Sequence, residues 1–162
     1  MSGFTHESTR NESIEWYTPP EIFERLGPFD LDPCSPGAGK SFVPATHHYT
    51  IVDDGLMQPW GEMYAWVNPP YGSETGRWMR KLAQHGNGIA LVFSRTDVKW
   101  FHEVAHLASA ITFVSGRIRF YQGSTANRGG TPGAGSMLIG FGERARRELL
   151  SSDLGVTVEV IG

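Results

Sequence analysis

Cysteine is almost absent from this 162-residue chain. Cys34 stands alone, so no disulfide can close within the chain, and a reducing cytoplasm is the expected compartment. Long apolar runs are missing too. No stretch approaches the length of a membrane span and the first residues hold no apolar signal core, so neither a membrane partner nor secretion is expected. Nothing repeats at a fixed period, which excludes solenoids and propellers. No Gly-x-Gly-x-x-Gly fingerprint follows the first apolar strand, so the phosphate cradle of a dinucleotide is not expected. Positive charge is not in excess either: a net charge of -3 does not advertise a nucleic-acid binder.

The charge that is present is unevenly spread. Residues 1–76 hold three Lys/Arg against eleven Asp/Glu, whereas residues 77–162 hold eleven against six. An acidic half suits a cationic cofactor, and a basic half suits phosphates. With 40% hydrophobic and 19% charged residues, the composition is that of one globular domain able to bury a core.

The chain is organised around Trp66-Val67-Asn68-Pro69-Pro70-Tyr71-Gly72. The apolar run Met63–Val67 predicts a buried strand. Two prolines stop it, because neither can donate to a sheet ladder, and each pushes the residue before it out of the helical region. Asn68 to Tyr71 is therefore a stiff, extended corner at the carboxyl end of a strand, where open α/β sheets place their ligands. The Asn68 side-chain oxygen and the Pro69 carbonyl are two acceptors able to converge on one amino group, and Tyr71 offers a face for a planar ring. Such a set suits the exocyclic amine of a base swung out of its helix.

Asn-Pro-Pro-Tyr resembles the catalytic motif of amino-methyltransferases, which use S-adenosylmethionine to methylate exocyclic or amide nitrogens. That resemblance implies catalytic roles for Asn68, Pro69, Pro70 and Tyr71. Upstream, Thr18 is expected to cap a helix with Pro19 at its first position and Glu21 completing a capping box. Thr18-Pro19-Pro20-Glu21 is also similar to the N-terminal cofactor motif of adenine methyltransferases, which implies that Tyr17, Thr18 and Pro19 meet the methionine part of the cofactor. Pro28 to Asp32 predicts a short strand ending at an acidic residue and a proline. Asp32-Pro33-Cys34 resembles the motif whose acid meets the cofactor's ammonium group, although the Gly-x-Gly usual in that motif is absent from it. Farther on, Asp53-Asp54-Gly55 marks a turn. An acid there suits the cofactor's ribose hydroxyls or adenine amine, and Asp54 is preferred because it directly precedes the glycine. His47 and His48 read as surface or packed groups.

The remaining elements alternate. A helix is expected over Thr75–Gln84, a doubly covered strand over Ile89–Phe93, a helix with Trp100, Phe101, Val104 and Leu107 inward, and a strand over Ala110–Val114. A strand from Arg117 to Tyr121, a long loop from Gln122 to Gly135 and a strand over Ser136–Phe141 predict an antiparallel hairpin. A helix with Arg144, Arg146 and Arg147 precedes a last strand, Val156–Ile161. The expected fold is α/β: a doubly wound, mostly parallel, Rossmann-like sheet with a C-terminal antiparallel hairpin. Residues 1–15 are expected to be flexible, residues 16–162 to form a single methyltransferase domain, and the 116–141 hairpin and loop to contact DNA.

His102-Glu103-Val104-Ala105-His106 spells a zinc-peptidase signature. A catalytic zinc needs a third protein ligand, and no histidine follows at metzincin spacing; Glu143 and Glu148 are separated from this helix by Gly- and Arg-rich sequence. No metal site is expected.

In order, Trp-x-Thr-Pro, Phe-Asp-Leu-Asp-Pro-Cys, Asp-Gly-Leu, Trp-x-Asn-Pro-Pro-Tyr-Gly, Ser-Arg-Thr-Asp and Gly-Arg-Ile-Arg-Phe resemble the small phage-type Dam family of DNA adenine methyltransferases. The resemblance covers most of residues 16–141. It implies a methyltransferase sheet with almost no separate recognition domain, S-adenosylmethionine as cofactor, DNA as partner, and direct methyl transfer to adenine N-6. Arg95, Lys99, Arg117, Arg119 and Arg128 are the expected nucleic-acid contacts. Cytosine N-4 or a protein glutamine is the alternative substrate, although Asn at the first motif position leans toward adenine. An inactive nucleic-acid-binding module is the non-enzymatic alternative.

Overall fold

A computed structural model describes residues 16–122, 129 and 132–161; the N-terminal segment 1–15 and Arg128 lie outside the described residues. Its centre is a seven-stranded mixed sheet in the order β3-β2-β4-β5-β8-β6-β9. The strands are β2 (Phe29–Asp32), β3 (Ala45–His48), β4 (Ala65–Val67), β5 (Gly88–Phe93), β6 (Ala110–Val114), β8 (Ser136–Phe141) and β9 (Gly155–Glu159). A separate two-stranded ribbon pairs β1 (Trp16–Tyr17) with β7 (Tyr121–Gln122). The helices are α1 (Pro20–Phe23), α2 (Thr75–His85), α3 (Lys99–Val104) and α4 (Glu143–Ser151).

Both faces of the sheet are covered, which is why β5 and β8 read as continuous apolar runs. Side chains alternate between the faces. Leu31, Val67, Ala90, Val92, Met137 and Ile139 pack with Trp78, Met79 and Leu82 of α2 and Val104 of α3. Phe29, Trp66, Ile89, Leu91 and Leu138 pack on the other face with Ile22 of α1, with Leu26, and with Ala145 and Leu149 of α4. Helix α2 ends where Gly86 adopts a left-handed conformation (φ 75°) and its N–H returns to the Leu82 carbonyl.

The sheet is not mostly parallel. Strands β3, β2, β4 and β5 run parallel, but β8 is antiparallel to both β5 and β6, and β9 is antiparallel to β6. Strand β8 enters between β5 and β6 in the opposite direction to both.

The expected 116–141 hairpin is not formed either. β7 pairs with β1, and β8 is buried between its two neighbours. Residues 117–120 keep the predicted alternation outside any ladder: Ile118 and Phe120 are buried while Arg117 and Arg119 are exposed. Two helix expectations also change. Proline 19, not Thr18, stands at the N-cap of α1, and it makes no side-chain cap bond. Leu107 is 54% exposed because α3 gives way to a 3-10 turn over Ala105–Leu107, which rotates it off the inward face.

Candidate active site

The carboxyl ends of β2 and β4 lie side by side, since Leu31 pairs with Ala65 in parallel register. Beyond them opens a cavity of about 930 Å³. Its wall takes Asp32, Pro33 and Cys34 from the end of β2, and Asn68, Pro69, Pro70 and Tyr71 from the end of β4. Tyr17 and Thr18 line it from the N-terminal segment, and Asp54 from the loop after β3. Of the residues assigned above to catalysis and cofactor, Pro19 alone does not line it.

The corner after β4 is held from two sides. Thr75 of α2 donates its hydroxyl to the Pro70 carbonyl at 2.6 Å. Asn68 Nδ2 donates to Thr18 Oγ1 at 3.4 Å, which directs the Asn68 carbonyl oxygen away from Thr18. Thr18 is thus buried against the corner instead of capping a helix. Tyr71 is half exposed and stacks on Phe93, with centroids 4.5 Å apart and planes 8° from parallel. One ring face is covered by Phe93, so a planar ligand has the other. Arg95 lies over Phe93 in turn, 5.8 Å from its centroid.

Asp32 is 2% exposed, and burial pushes its carboxyl up to about 7, partly opposed by bonds from the Cys34 N–H and the Ser35 side chain. Ser35 Oγ in turn meets His48 Nδ1 at 3.0 Å, and the other ring nitrogen of His48 donates to the Ala45 carbonyl at 3.1 Å. A buried carboxyl so perturbed is poised for a cationic partner.

Asp53 and Asp54 divide their tasks. Asp53 Oδ2 accepts from the backbone N–H and the hydroxyl of Thr50, closing its own turn. Asp54, in the left-handed region at φ 60°, lines the cavity instead. Gly55 permits this: a Cβ there would stand 2.0 Å from the Pro33 carbonyl oxygen and 3.1 Å from the Trp78 ring. The loop is anchored from below, where Trp60 Nε1 donates to the Gly55 carbonyl and Lys81 Nζ to the carbonyls of Leu56 and Gln58.

The four described residues among the expected DNA contacts lie outside the cavity wall. Arg95 and Lys99 are exposed beyond β5, at the edge where the corner lies. Gly135 lies beside them, because the Ser94 N–H donates to its carbonyl. Arg117 and Arg119 donate to the carbonyls of Pro132 and Gly129. Gly129 lies so near Trp16, a wall residue, that a Cβ would come within 2.4 Å of its ring.

The histidine signature on α3 is dispersed. His102 donates to the Thr96 carbonyl, Glu103 pairs with Arg80 at 2.8 Å, and His106 falls in the 3-10 turn. Among the described residues no three His, Cys, Asp or Glu side chains cluster as metal ligands, and no helix is long and apolar enough to cross a membrane.

Several wall residues were assigned no role: Trp16 and Trp66, although each opens a quoted motif, and Ser41, Val43, Thr50, Ile51 and Trp78, which carry none. Trp66 was within reach of the sequence, since it stands two positions before Asn68 on the same strand face. The others arrive through tertiary packing alone.

The donor set fits an aminoacyl nucleoside sulfonium. A buried acid suits an ammonium group, and a second acid at the cavity rim suits hydroxyls. One buried indole nitrogen, Trp66 Nε1, has no hydrogen-bond partner among the described residues. No curated protein and no solved structure matches the chain. A family model described as DNA N-6-adenine-methyltransferase (Dam) matches residues 5–154, nearly the whole length. With its acid-lined cavity and its Asn-Pro-Pro-Tyr corner, the chain belongs to that family of DNA N-6-adenine methyltransferases.

Proposed function

We propose that this chain is a site-specific, orphan enzyme of the phage type, which transfers a methyl group from S-adenosylmethionine to the N-6 amine of adenine in DNA. The observation that carries the reading is the shared cavity, in which Asp32, Asp54 and Thr18 meet the Asn68–Tyr71 corner. Its volume of about 930 Å³ accommodates a cofactor and a base together. In this reading residues 16–162 form one methyltransferase domain with a Rossmann-like sheet, acting in the cytoplasm.

Bound in the cavity, S-adenosylmethionine supplies an electrophilic methyl on a sulfonium. Ionised Asp32 holds the ammonium end, Asp54 takes hydroxyls or the adenine amine, Tyr17, Thr18, Pro33 and Cys34 shape the remaining wall, and Pro19 supports Thr18 from behind it. The target adenine stacks on the open face of Tyr71. Its amine donates one N–H to Asn68 Oδ1 and the other to the Pro69 carbonyl. Two acceptors on one amine pull its lone pair out of ring conjugation and aim it at the methyl, so positioning and electrostatics supply most of the acceleration. Pro70 keeps the corner stiff. No covalent enzyme intermediate is required, and Cys34 is not a nucleophile.

Arg95, Lys99, Arg117, Arg119 and Arg128 contact DNA in this reading, supported by the basic balance of the second half and by the link from Arg95 through Phe93 to Tyr71. Incubation with labelled cofactor and unmethylated DNA, followed by nucleoside mass analysis, tests the proposal. Label in N-6-methyladenine is the expected result; label in N-4-methylcytosine, or none, refutes it.

A further inference from the structure

Trp66 is fully buried, and its indole Nε1 is the one buried side-chain nitrogen or oxygen without a hydrogen-bond partner among the described residues. Buried tryptophans usually find an acceptor for this N–H, because a lost hydrogen bond in a dry interior is costly. Packing accounts for the ring: it sits against Phe23 and Phe29, with centroids 4.8 and 5.4 Å away. Packing does not account for the nitrogen. Phenylalanine would serve those contacts, yet Trp66 also lines the cavity.

Strand register says what stands beside it. Leu31 and Ala65 are paired in parallel, so the next residues, Asp32 and Trp66, are neighbours on adjacent strands. Both side chains leave the sheet on the face opposite Leu31 and Ala65. Adjacent strands are about 4.8 Å apart, so a residue with a carboxylate acceptor and a residue with a neutral N–H donor follow one another in the wall of one cavity. An α-amino acid presents the matching pair, an ammonium and a carboxylate on a single carbon. An indole nitrogen donates and never accepts, so its ligand atom must be an acceptor.

We infer that Trp66 Nε1 donates to the α-carboxylate of the cofactor's amino-acid end, while Asp32 takes the ammonium. The inference rests on the cofactor reading given above and adds a residue to it. Because Nε1 is shielded from water, the bond forms as the wall shifts around the entering ligand.

The test uses the whole chain with isotope-labelled tryptophan and two probes. S-adenosylhomocysteine carries the amino-acid end, and 5′-methylthioadenosine lacks it. The Trp66 indole signal, identified by its loss in Trp66→Phe, should move downfield with the first probe and stay in place with the second. In calorimetry, Trp66→Phe should lose about tenfold or more in affinity for S-adenosylhomocysteine, the usual cost of a hydrogen bond to a charged group, and nothing for 5′-methylthioadenosine. If S-adenosylhomocysteine binds but the Trp66 signal stays still, or if both probes move it alike, the inference is overturned. A shift caused by adenine-containing DNA alone would assign the donor to the target base instead. Absence of any S-adenosylhomocysteine binding would overturn the cofactor reading itself, and the inference with it. Should Trp66→Phe fail to fold, the wild-type signal, assigned through its contacts to Phe23 and Phe29, decides the matter.

Discussion

Asp32 makes cofactor binding pH-dependent in a calculable way. Its carboxyl is pushed by burial from 3.8 up to about 7, so near neutrality only about half of it is ionised. If the ammonium of the ligand binds the ionised form alone, affinity follows the ionised fraction. That fraction is about one in a hundred at pH 5 and one half at pH 7, so the dissociation constant for S-adenosylhomocysteine should fall about fifty-fold across that range. Above pH 7 it should flatten. Binding at pH 6 should release nearly one proton, seen as a dependence of the calorimetric heat on the buffer's ionisation enthalpy. Asp32→Asn should bind weakly and show neither effect. His48 is the other titratable group on this network, through Ser35, and His48→Gln should keep the pH dependence.

The same shift has a sign for stability. Between 3.8 and about 7 the folded state holds a proton that the unfolded state has lost, so stability falls as pH rises through that window. The full effect is roughly 4 kcal/mol, and Asp32→Asn should raise Tm at pH 8 and leave it unchanged below pH 4. A dissociation constant that stays flat from pH 5 to pH 7 with no proton release would refute the reasoning.

Four further outcomes are expected. Asn68→Ala should abolish transfer while leaving S-adenosylhomocysteine affinity nearly intact in calorimetry; near-normal turnover would remove Asn68 from the chemistry. Tyr71→Ala should weaken DNA binding by about 1–3 kcal/mol and Tyr71→Phe should be tolerated, since only a ring face is used. Gly55→Ala places a Cβ 2.0 Å from the Pro33 carbonyl, so the Asp54 loop must move, and both Tm and cofactor affinity should drop. An Arg95/Arg117 double alanine variant should lower affinity for all DNA sequences and reduce the salt slope by about one unit per lost phosphate contact, whereas an unchanged slope would mean DNA approaches elsewhere.

Local chemistry made much of this molecule legible from its sequence. Two consecutive prolines after an apolar run announce a strand that ends in a rigid corner, whatever surrounds it. The continuous apolar segment Ile89–Phe93 announces a strand covered on both faces and Ser136–Phe141 announces a further strand, and both strands occur. Where β2 and β4 each end follows from two strand-stop signals, each local; that they lie side by side does not.

Other features depend on partners that no local pattern names. Period-two alternation marks a strand but is silent on its neighbour and its direction. Hence Ser136–Phe141 was legible as a strand, yet its insertion between β5 and β6 was not. The pairing of Trp16–Tyr17 with Tyr121–Gln122 joins segments about a hundred residues apart. Thr18 is a good cap by residue type, but its hydroxyl is engaged by Asn68 across 50 positions. Asp53 is drawn into its own turn by two bonds from Thr50, which leaves Asp54 as the one on the cavity wall. Residue type and spacing set which groups can bond; only the assembled sheet decides which of them come within reach, because long-range pairing is selected by the surface that remains to be covered.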